Sequence, residues 1–167
     1  MQPRIEAQNY NRGGIGMRKL VVVMLAGLFL FSLVATGFCA SSQADAKALI
    51  EKGVAFYKAN GKDKAFAEFS DPKGQFTKGD LYIFVIDTKG TVFAHGGNPK
   101  LVGKDMSELK DADGKFFMKE IIKTANEKGK GWVDYKWANP VTKKIDNKTT
   151  YVEKVDGYVF GCGVYKE

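Results

Sequence analysis

Residues 149–165 read TTYVEKVDGYVFGCGVY, two strand-like runs joined by a short polar turn. Both runs are rich in Val, Tyr, Thr and Phe, residue types that favour extended backbone. The dipeptide Asp156-Gly157 is a favoured two-residue turn between antiparallel strands. The stretch therefore predicts a β-hairpin made of Thr149–Val155 and Tyr158–Tyr165.

Further strands are predicted upstream of this hairpin. The run Trp132–Ala138 precedes it and is separated from it by Asn139-Pro140 and a polar loop. The run Leu81–Ile86 is apolar on both alternating sets of positions, which is typical of a strand covered on both faces, so we expect a central strand. The run Thr91–His95 is predicted to be its hairpin partner.

Two main helices are predicted outside the strands. From Asp45 the apolar positions follow the spacing of one helix face as far as Asn60-Gly61. A second amphipathic stretch runs from about Lys115 to Glu127, with Gly129 just past its end. Sequential antiparallel strands, with helices gathered at the start and in one insertion, predict an α+β domain.

Residues 1–44 are predicted to be a leader. Met17 and two basic residues precede the apolar run Leu20–Val34, the pattern of a secretory signal, so Met17 is the expected natural start. The best cleavage site lies at Ser42–Ala44, yet the apolar stretch is also close to the roughly 20 residues that span a bilayer. A signal peptide and an uncleaved membrane anchor therefore both fit. Either predicts an exported domain, periplasmic or extracellular, formed by residues 45–167.

The charge distribution argues against a nucleic-acid partner. The chain has 26 Lys and Arg against 19 Asp and Glu, a formal net charge of +7. Every arginine lies in the predicted leader, so the basic residues of the domain are lysines, and they are mixed with acids along the chain. A nucleic-acid groove is expected to concentrate arginine and positive charge on one face. We therefore expect no nucleic-acid binding.

The sequence carries no convincing motif for a metal or a cofactor. Asp111-Ala112-Asp113-Gly114 looks like the start of a calcium loop, but the required glycine and glutamate are not at their positions. A turn that caps the following helix is the better interpretation. Motifs for haem attachment and for a phosphate-binding loop are missing from the sequence. We expect no metal and no cofactor.

The order of motifs resembles the single Cache domain family, in particular its single Cache domain 2 type. Seven pieces follow the family's order and cover nearly all of the domain: LYIFVID (81–87), GTVFAH (90–95), NPKLVGKD (98–105), KDADGK (110–115), GWVDYKW (131–137), KTTYV (148–152) and GCGVY (161–165). The resemblance implies a PAS-like fold with a central antiparallel sheet of about five strands, a long N-terminal helix and an inserted helix. It also implies an extracytoplasmic sensor module with a pocket for a small organic ligand, in several members a short carboxylate.

The chain departs from the family pattern at the pocket rim and at its end. Gly96-Gly97 stand where the family often has a proline directly after the histidine, so a different pocket rim is expected there, and the sequence leaves open whether the pocket is enlarged or destroyed. Receptors with this module continue into a second membrane helix and a signalling domain, whereas this chain ends at Glu167. We therefore expect the domain to act with a partner, either a membrane receptor or a kinase.

Candidate ligand-binding residues follow from the resemblance and from side-chain chemistry. Lys148 opens a strand, where its ammonium can form a charge-assisted hydrogen bond to a carboxylate, unless it is only a solvated lysine. His95 ends a strand beside the two glycines and either donates to a ligand oxygen or bonds the backbone. Aromatic residues are expected to form the pocket walls, with the first two favoured: Trp137, Tyr151, Tyr82 and Tyr135.

A second hypothesis treats the chain as a thiol-dependent enzyme. Cys162 would be its nucleophile and His95 its general base, which requires the thiol to be exposed and within hydrogen-bond reach of the imidazole. The pattern instead places Cys162 inside an apolar strand, where a lone thiol is usually a buried small hydrophobe. A binding module without enzymatic activity is therefore the favoured interpretation.

Overall fold

The computed structural model describes residues 41–166 of the chain. The predicted start at Met17 and the apolar run Leu20–Val34 lie outside the described residues, and so does most of the predicted leader. Within the described part, no helix combines the length and the apolar character needed to cross a membrane.

Two helices open the domain. Helix α1 is Gln43–Asn60, and helix α2 is Lys62–Phe69. The Ser42 hydroxyl accepts a hydrogen bond from the backbone N–H of Asp45 (3.2 Å), and the Asp45 carboxylate accepts one from the backbone N–H of Ser42 (2.9 Å). This reciprocal cap starts the helix two residues before its predicted start. Cleavage after Ala44 stays a prediction, and it would remove a cap that stabilises such helices by about 1 kcal/mol.

Seven strands are present among the described residues, and five of them form one antiparallel sheet in the order β4-β3-β7-β6-β5. The predicted α+β class and the predicted five-stranded antiparallel sheet are thus confirmed. The strands are β1 (Thr77–Lys78), β2 (Leu81–Tyr82), β3 (Phe84–Asp87), β4 (Val92–His95), β5 (Lys130–Ala138), β6 (Ile145–Val155) and β7 (Tyr158–Tyr165).

The prediction that Leu81–Ile86 forms one central strand is wrong in two respects, its continuity and its position in the sheet. The run is divided at Ile83, because β2 pairs with β1 in a small separate hairpin whereas β3 joins the main sheet. The middle of the main sheet is β7, with β3 and β6 on its two sides. The apolar character of the run reflects burial on both faces, as predicted, but burial alone does not distinguish a middle strand from its neighbour.

The sheet is covered on both faces, which gives two hydrophobic cores. Helices α1 and α2 cover one face, where Phe66, Phe69 and Phe160 pack together. A 12-residue helix, α3 (Phe117–Lys128), covers the other face with Phe117, Met118 and Ile121. Because alternate residues of a strand point to opposite faces, β3, β4, β6 and β7 contribute to both cores, whereas β5 contributes only to the second one.

The segment between β4 and α3 runs over the second core. A short 3-10 helix, Pro99–Leu101, begins it, and Met106 packs into the core from it. The Asp111 carboxylate holds the far end of this segment. One of its oxygens accepts hydrogen bonds from the backbone N–H groups of Asp113 (3.0 Å) and Lys115 (2.9 Å). Its other oxygen accepts a hydrogen bond from the backbone N–H of Lys136 in β5 (3.0 Å). The expected helix cap is therefore wrong, since Asp111 fastens the loop to the edge strand instead.

Candidate ligand-binding site

A small cavity lies between the sheet and α3. It encloses about 20 Å³, room for roughly one water molecule. Its wall is mostly apolar, and four of the side chains that line it carry a polar tip. The apolar lining residues are Phe84, Ile86, Val92, Met106, Phe117 and Met118, and those with polar tips are Tyr82, His95, Tyr135 and Trp137. Four of the predicted site residues, Tyr82, His95, Tyr135 and Trp137, are thus brought together around one space.

An outer cavity of about 230 Å³ adjoins this inner one. Tyr82, His95 and Trp137 line both spaces, so their side chains form the common wall. The remaining outer lining comes from the segment after β4 and from the loop between β5 and β6: Gly97, Asn98, Ala138, Asn139, Pro140 and Lys143. A ligand that reaches the inner cavity from this side must pass these three side chains.

Lys148 is the most unusual residue near the inner cavity. It contacts the lining residue Tyr82 but lines neither of these two cavities, and it belongs instead to a separate surface pocket beside β5 and β6. It is 1% exposed, and its ammonium donates hydrogen bonds to the hydroxyls of Tyr82 (2.7 Å) and Tyr165 (3.3 Å). None of the ion pairs among residues 41–166 includes Lys148. Burial without a carboxylate lowers the pKa of Lys148 from 10.5 to about 7. The site therefore holds a buried ammonium without an ion-pair partner among residues 41–166, and the charge of Asp80 only partly offsets the effect of burial on its pKa.

Tyr165 belongs to this site and was missed from the sequence. Its hydroxyl accepts from Lys148 and donates to the backbone carbonyl of Ala138 (2.7 Å). The turn Asp156-Gly157 could have identified Tyr165, because a two-residue hairpin turn fixes the register of the two strands that it joins. Counting back from Val155 and forward from Tyr158 places Tyr165 opposite Lys148, which is the observed pairing.

Two glycines of β7 leave room for these side chains. A Cβ atom on Gly163 would lie 2.5 Å from Lys148 Cε and 2.3 Å from Thr150 Oγ1. A Cβ atom on Gly161 would lie 2.2 to 2.7 Å from atoms of the Phe84 ring. The alternation GCG therefore keeps side chains off the α3 face of β7, while Cys162 points to the opposite face.

His95 is a neutral hydrogen-bonding group in this site. Its Nδ1 accepts a hydrogen bond from the backbone N–H of Asn98 (2.9 Å), and its ring centroid lies 4.9 Å from that of Tyr82. Burial, helped by the positive charge of Lys148, lowers the pKa of His95 from 6.5 to about 3. With Nδ1 acting as an acceptor, the neutral ring carries its proton on Nε2 and can donate from there.

Tyr135 and Trp137 form an aromatic wall with helix α3. The Tyr135 ring stacks on Phe117 with centroids 4.4 Å apart, and Trp137 lies 5.4 Å from the same phenylalanine. The Tyr135 hydroxyl accepts a hydrogen bond from the Thr150 hydroxyl (3.0 Å). Thr150 thus fixes this wall from β6, two residues from Lys148 on the same face of the strand.

Tyr151 does not fit the pocket predicted for it. It packs in the α1 core, 5.3 Å from the ring of Trp132, and its hydroxyl donates to the Glu153 carboxylate (3.5 Å). Tyr151 is three residues after Lys148 in one strand, and an odd separation places two side chains on opposite faces. The resemblance placed both residues in one motif, but strand alternation separates them.

The pairing needed for a thiol-dependent enzyme is not observed. Cys162 is fully buried, and burial raises the pKa of its thiol from 9.0 to about 12. No hydrogen bond joins Cys162 to His95 within residues 41–166, and Nδ1 of His95 is already occupied by Asn98. Cys162 belongs to the α1 core, whereas His95 lines the cavity on the α3 side.

Cys162 is therefore expected to be inert towards alkylation in the folded protein. Its reaction with iodoacetamide at pH 8 should be at least about 100-fold slower than in urea, because the thiolate is disfavoured and the sulfur is shielded. Peptide mapping by mass spectrometry distinguishes this residue from Cys39. Equal rates in the folded and unfolded protein would contradict the buried placement.

Comparisons with known proteins agree on one family. The model described as single Cache domain 2 matches residues 40–167. The methyl-accepting chemotaxis protein McpP of Pseudomonas putida is 33% identical over 88 residues, which are 52% of this chain and 16% of that protein. The sensor histidine kinase MctS of Rhizobium johnstonii is 36% identical over 88 residues, 52% of this chain and 19% of that protein.

A solved structure described as the basis for carboxylic acid recognition by a Cache chemosensory domain has a similar fold. Its TM-score is 0.58 and its identity is 27%, and the match covers 72% of this chain and 86% of the other. The curated relatives are much longer, since the match spans less than a fifth of each. The similarity therefore concerns the sensor domain rather than the whole receptor or kinase.

Proposed function

The chain belongs to the single Cache domain 2 family, and we propose that its domain is an extracytoplasmic sensor that binds a short organic carboxylate at Lys148. Segments similar to this domain occur in a chemotaxis protein and in a sensor kinase, which supports a sensory role. The observation that carries the proposal is the buried ammonium of Lys148, which has two hydroxyl partners but no ion-pair partner among residues 41–166.

A carboxylate would supply the missing counter-ion. An ammonium can donate three hydrogen bonds, and in this structure Lys148 donates to two phenol oxygens. A charge-assisted bond from the ammonium to a carboxylate is about twice as strong as a neutral one, and it gains further strength away from water. The Tyr82 hydroxyl accepts from Lys148 and can donate its own proton to the second carboxylate oxygen, whereas the Tyr165 hydroxyl already donates to the carbonyl of Ala138.

The size and polarity of the inner cavity favour a ligand with a very short alkyl chain. Its volume of about 20 Å³ must grow even for a two-carbon acid. Met106 and Met118 line it, and methionine side chains adapt to irregular space more readily than branched ones. We therefore propose acids of two or three carbons, with the alkyl group against these methionines.

The biological setting follows from the relatives by analogy. One is a chemotaxis protein and another is a sensor kinase, and the chain matches only a small part of each. We propose that this domain is exported, that it catalyses no reaction, and that it passes ligand binding to a membrane receptor or a kinase.

A ligand screen by thermal unfolding tests this function. The full chain in mild detergent is heated with acetate, propionate or lactate, and unfolding is followed by intrinsic tryptophan fluorescence. A ligand at a hundredfold excess over its dissociation constant should stabilise the fold by about 2.7 kcal/mol, which corresponds to a melting-temperature increase of about 5 to 10 °C. Propionamide and propylamine are matched controls of the same length. Failure of all the carboxylates, or an equal effect of the amide or the amine, would contradict the proposal.

A further inference from the structure

Gly97 lies directly against the ring of Tyr82. A Cβ atom on Gly97 would be 2.8 Å from Cε1, 2.9 Å from Cζ and 3.0 Å from Cδ1 of that ring. Carbon atoms in contact are normally about 3.5 to 4.0 Å apart, so any side chain at this position would displace the ring. Gly97 does not have a positive φ, so close approach, and not backbone conformation, is what requires a glycine.

The Tyr82 ring is also enclosed from its other sides. The His95 ring centroid is 4.9 Å from its own, and Lys148 Nζ lies 4.0 Å from the centroid. Tyr82 is 2% exposed, and a Cβ atom on Gly96 would come within 3.1 Å of Tyr82 Cβ. These neighbours hold the ring on several sides, and the remaining free space lies in the two cavities that it lines, so pressure from position 97 would move the ring together with its hydroxyl into that space.

The position of that hydroxyl matters because it is the nearer hydrogen-bond partner of Lys148. Tyr82 Oη lies 2.7 Å from Lys148 Nζ, whereas Tyr165 Oη lies 3.3 Å from it. A ring shift of several tenths of an ångström would lengthen or bend the shorter bond, and hydrogen bonds weaken steeply with such changes.

We propose that Gly97 is a positioning residue, which keeps the Tyr82 ring in the plane where its hydroxyl can orient the Lys148 ammonium towards the ligand. This inference rests on the proposed carboxylate site and deepens it. In this proposal Gly97 neither enlarges nor destroys the pocket. Its lack of a side chain allows the Tyr82 ring to form part of the pocket wall.

A double-mutant cycle tests the proposal. Propionate binding to the full chain in mild detergent is measured by titration calorimetry for the wild type, Gly97→Ala, Tyr82→Phe and the double variant. We expect Gly97→Ala to weaken binding about tenfold in the wild type but less than twofold in the Tyr82→Phe background, because the affected hydroxyl is then already absent. Gly97→Ala should lower the melting temperature in both the wild type and Tyr82→Phe, since phenylalanine keeps the ring with which the new Cβ atom clashes.

Gly131→Ala is the matched control. Its new Cβ atom would meet Thr124 Cγ2 at 2.6 Å, a comparable clash with a side chain remote from the cavity. It should change the melting temperature without changing propionate affinity. Equal losses of affinity from Gly97→Ala in both backgrounds, or unchanged affinity in the wild type, would overturn the positioning role.

A measurement without ligand separates this inference from the proposed function. The pKa of the Lys148 ε-amine is followed by NMR titration in the same four proteins and in Gly131→Ala. A shift caused by Gly97→Ala that disappears in the Tyr82→Phe background supports positioning even if no carboxylate binds. An unchanged Lys148 pKa in Gly97→Ala overturns it, even if carboxylates do bind.

Discussion

Replacing Lys148 by methionine is expected to abolish carboxylate binding and, at the same time, to raise the stability of the free protein. The affinity should fall at least about 100-fold, because the variant loses the ammonium proposed to bind the ligand, and no other lysine among residues 41–166 is buried. The free protein should gain on the order of 2 to 4 kcal/mol at pH 6, since a buried charge without a counter-ion is replaced by an apolar side chain of similar length.

The sign of this gain depends on pH. The pKa of Lys148 is lowered in the folded protein to about 7, below its ordinary 10.5, so between these values the unfolded chain binds more protons than the folded one. Stability of the wild type therefore rises with pH across this window, and the full penalty applies below about pH 7. The advantage of Lys148→Met should be largest near pH 6 and fade by about pH 10.

Urea unfolding at pH 6 and pH 9, combined with calorimetric titration of propionate, measures both effects. Lys154→Met is the matched control, because Lys154 lies in the same strand but is exposed and donates to Asn126. The control should alter neither property appreciably. A destabilised Lys148→Met at pH 6, or one that binds propionate like the wild type, would contradict the role assigned to this lysine.

The second large effect expected is a loss of carboxylate affinity as the pH rises. The ligand needs the charged form of Lys148, and its ammonium fraction in the free site falls tenfold per pH unit above a pKa of about 7. Affinity should therefore be nearly constant from pH 6 to 7 and roughly 100-fold weaker at pH 9. Binding at pH 8 should take up close to one proton per ligand, because the carboxylate restores the charge.

No other group around the site is expected to titrate in this range. Burial lowers the pKa of His95 to about 3 and raises that of Cys162 to about 12. Burial also raises the pKa values of Tyr82, Tyr135 and Tyr165 above their ordinary value of 10. Titrations in buffers of different ionisation enthalpy measure the proton uptake directly. Affinity that does not change between pH 6 and 9 would show that Lys148 is not the titrating partner.

Local sequence patterns predicted the strands and the turn that carry the site better than they predicted which side chains belong to it. The turn at Asp156-Gly157 and the alternation in β7 are properties of neighbouring residues, so they could be recognised without a structure. Tyr165 followed from the same turn by counting but was overlooked, and Tyr151 was misplaced because strand alternation was not applied to the distance from Lys148. Boundaries of α1 and β6 differed by a few residues, as helix caps and loop contacts extend both elements.

By itself, the sequence determined the α+β class, the antiparallel order of the late strands and the type of domain, because periodicity, turn residues and ordered motifs act over short distances along the chain. Only the tertiary structure decided that Tyr82 meets Lys148 across 66 residues, with Gly97 against its ring. Only it decided that no acid forms an ion pair with this ammonium in the described part of the chain. Such contacts depend on how the sheet, its covering helices and the long loop pack together, and the lowered pKa of Lys148 depends on the water that this packing excludes.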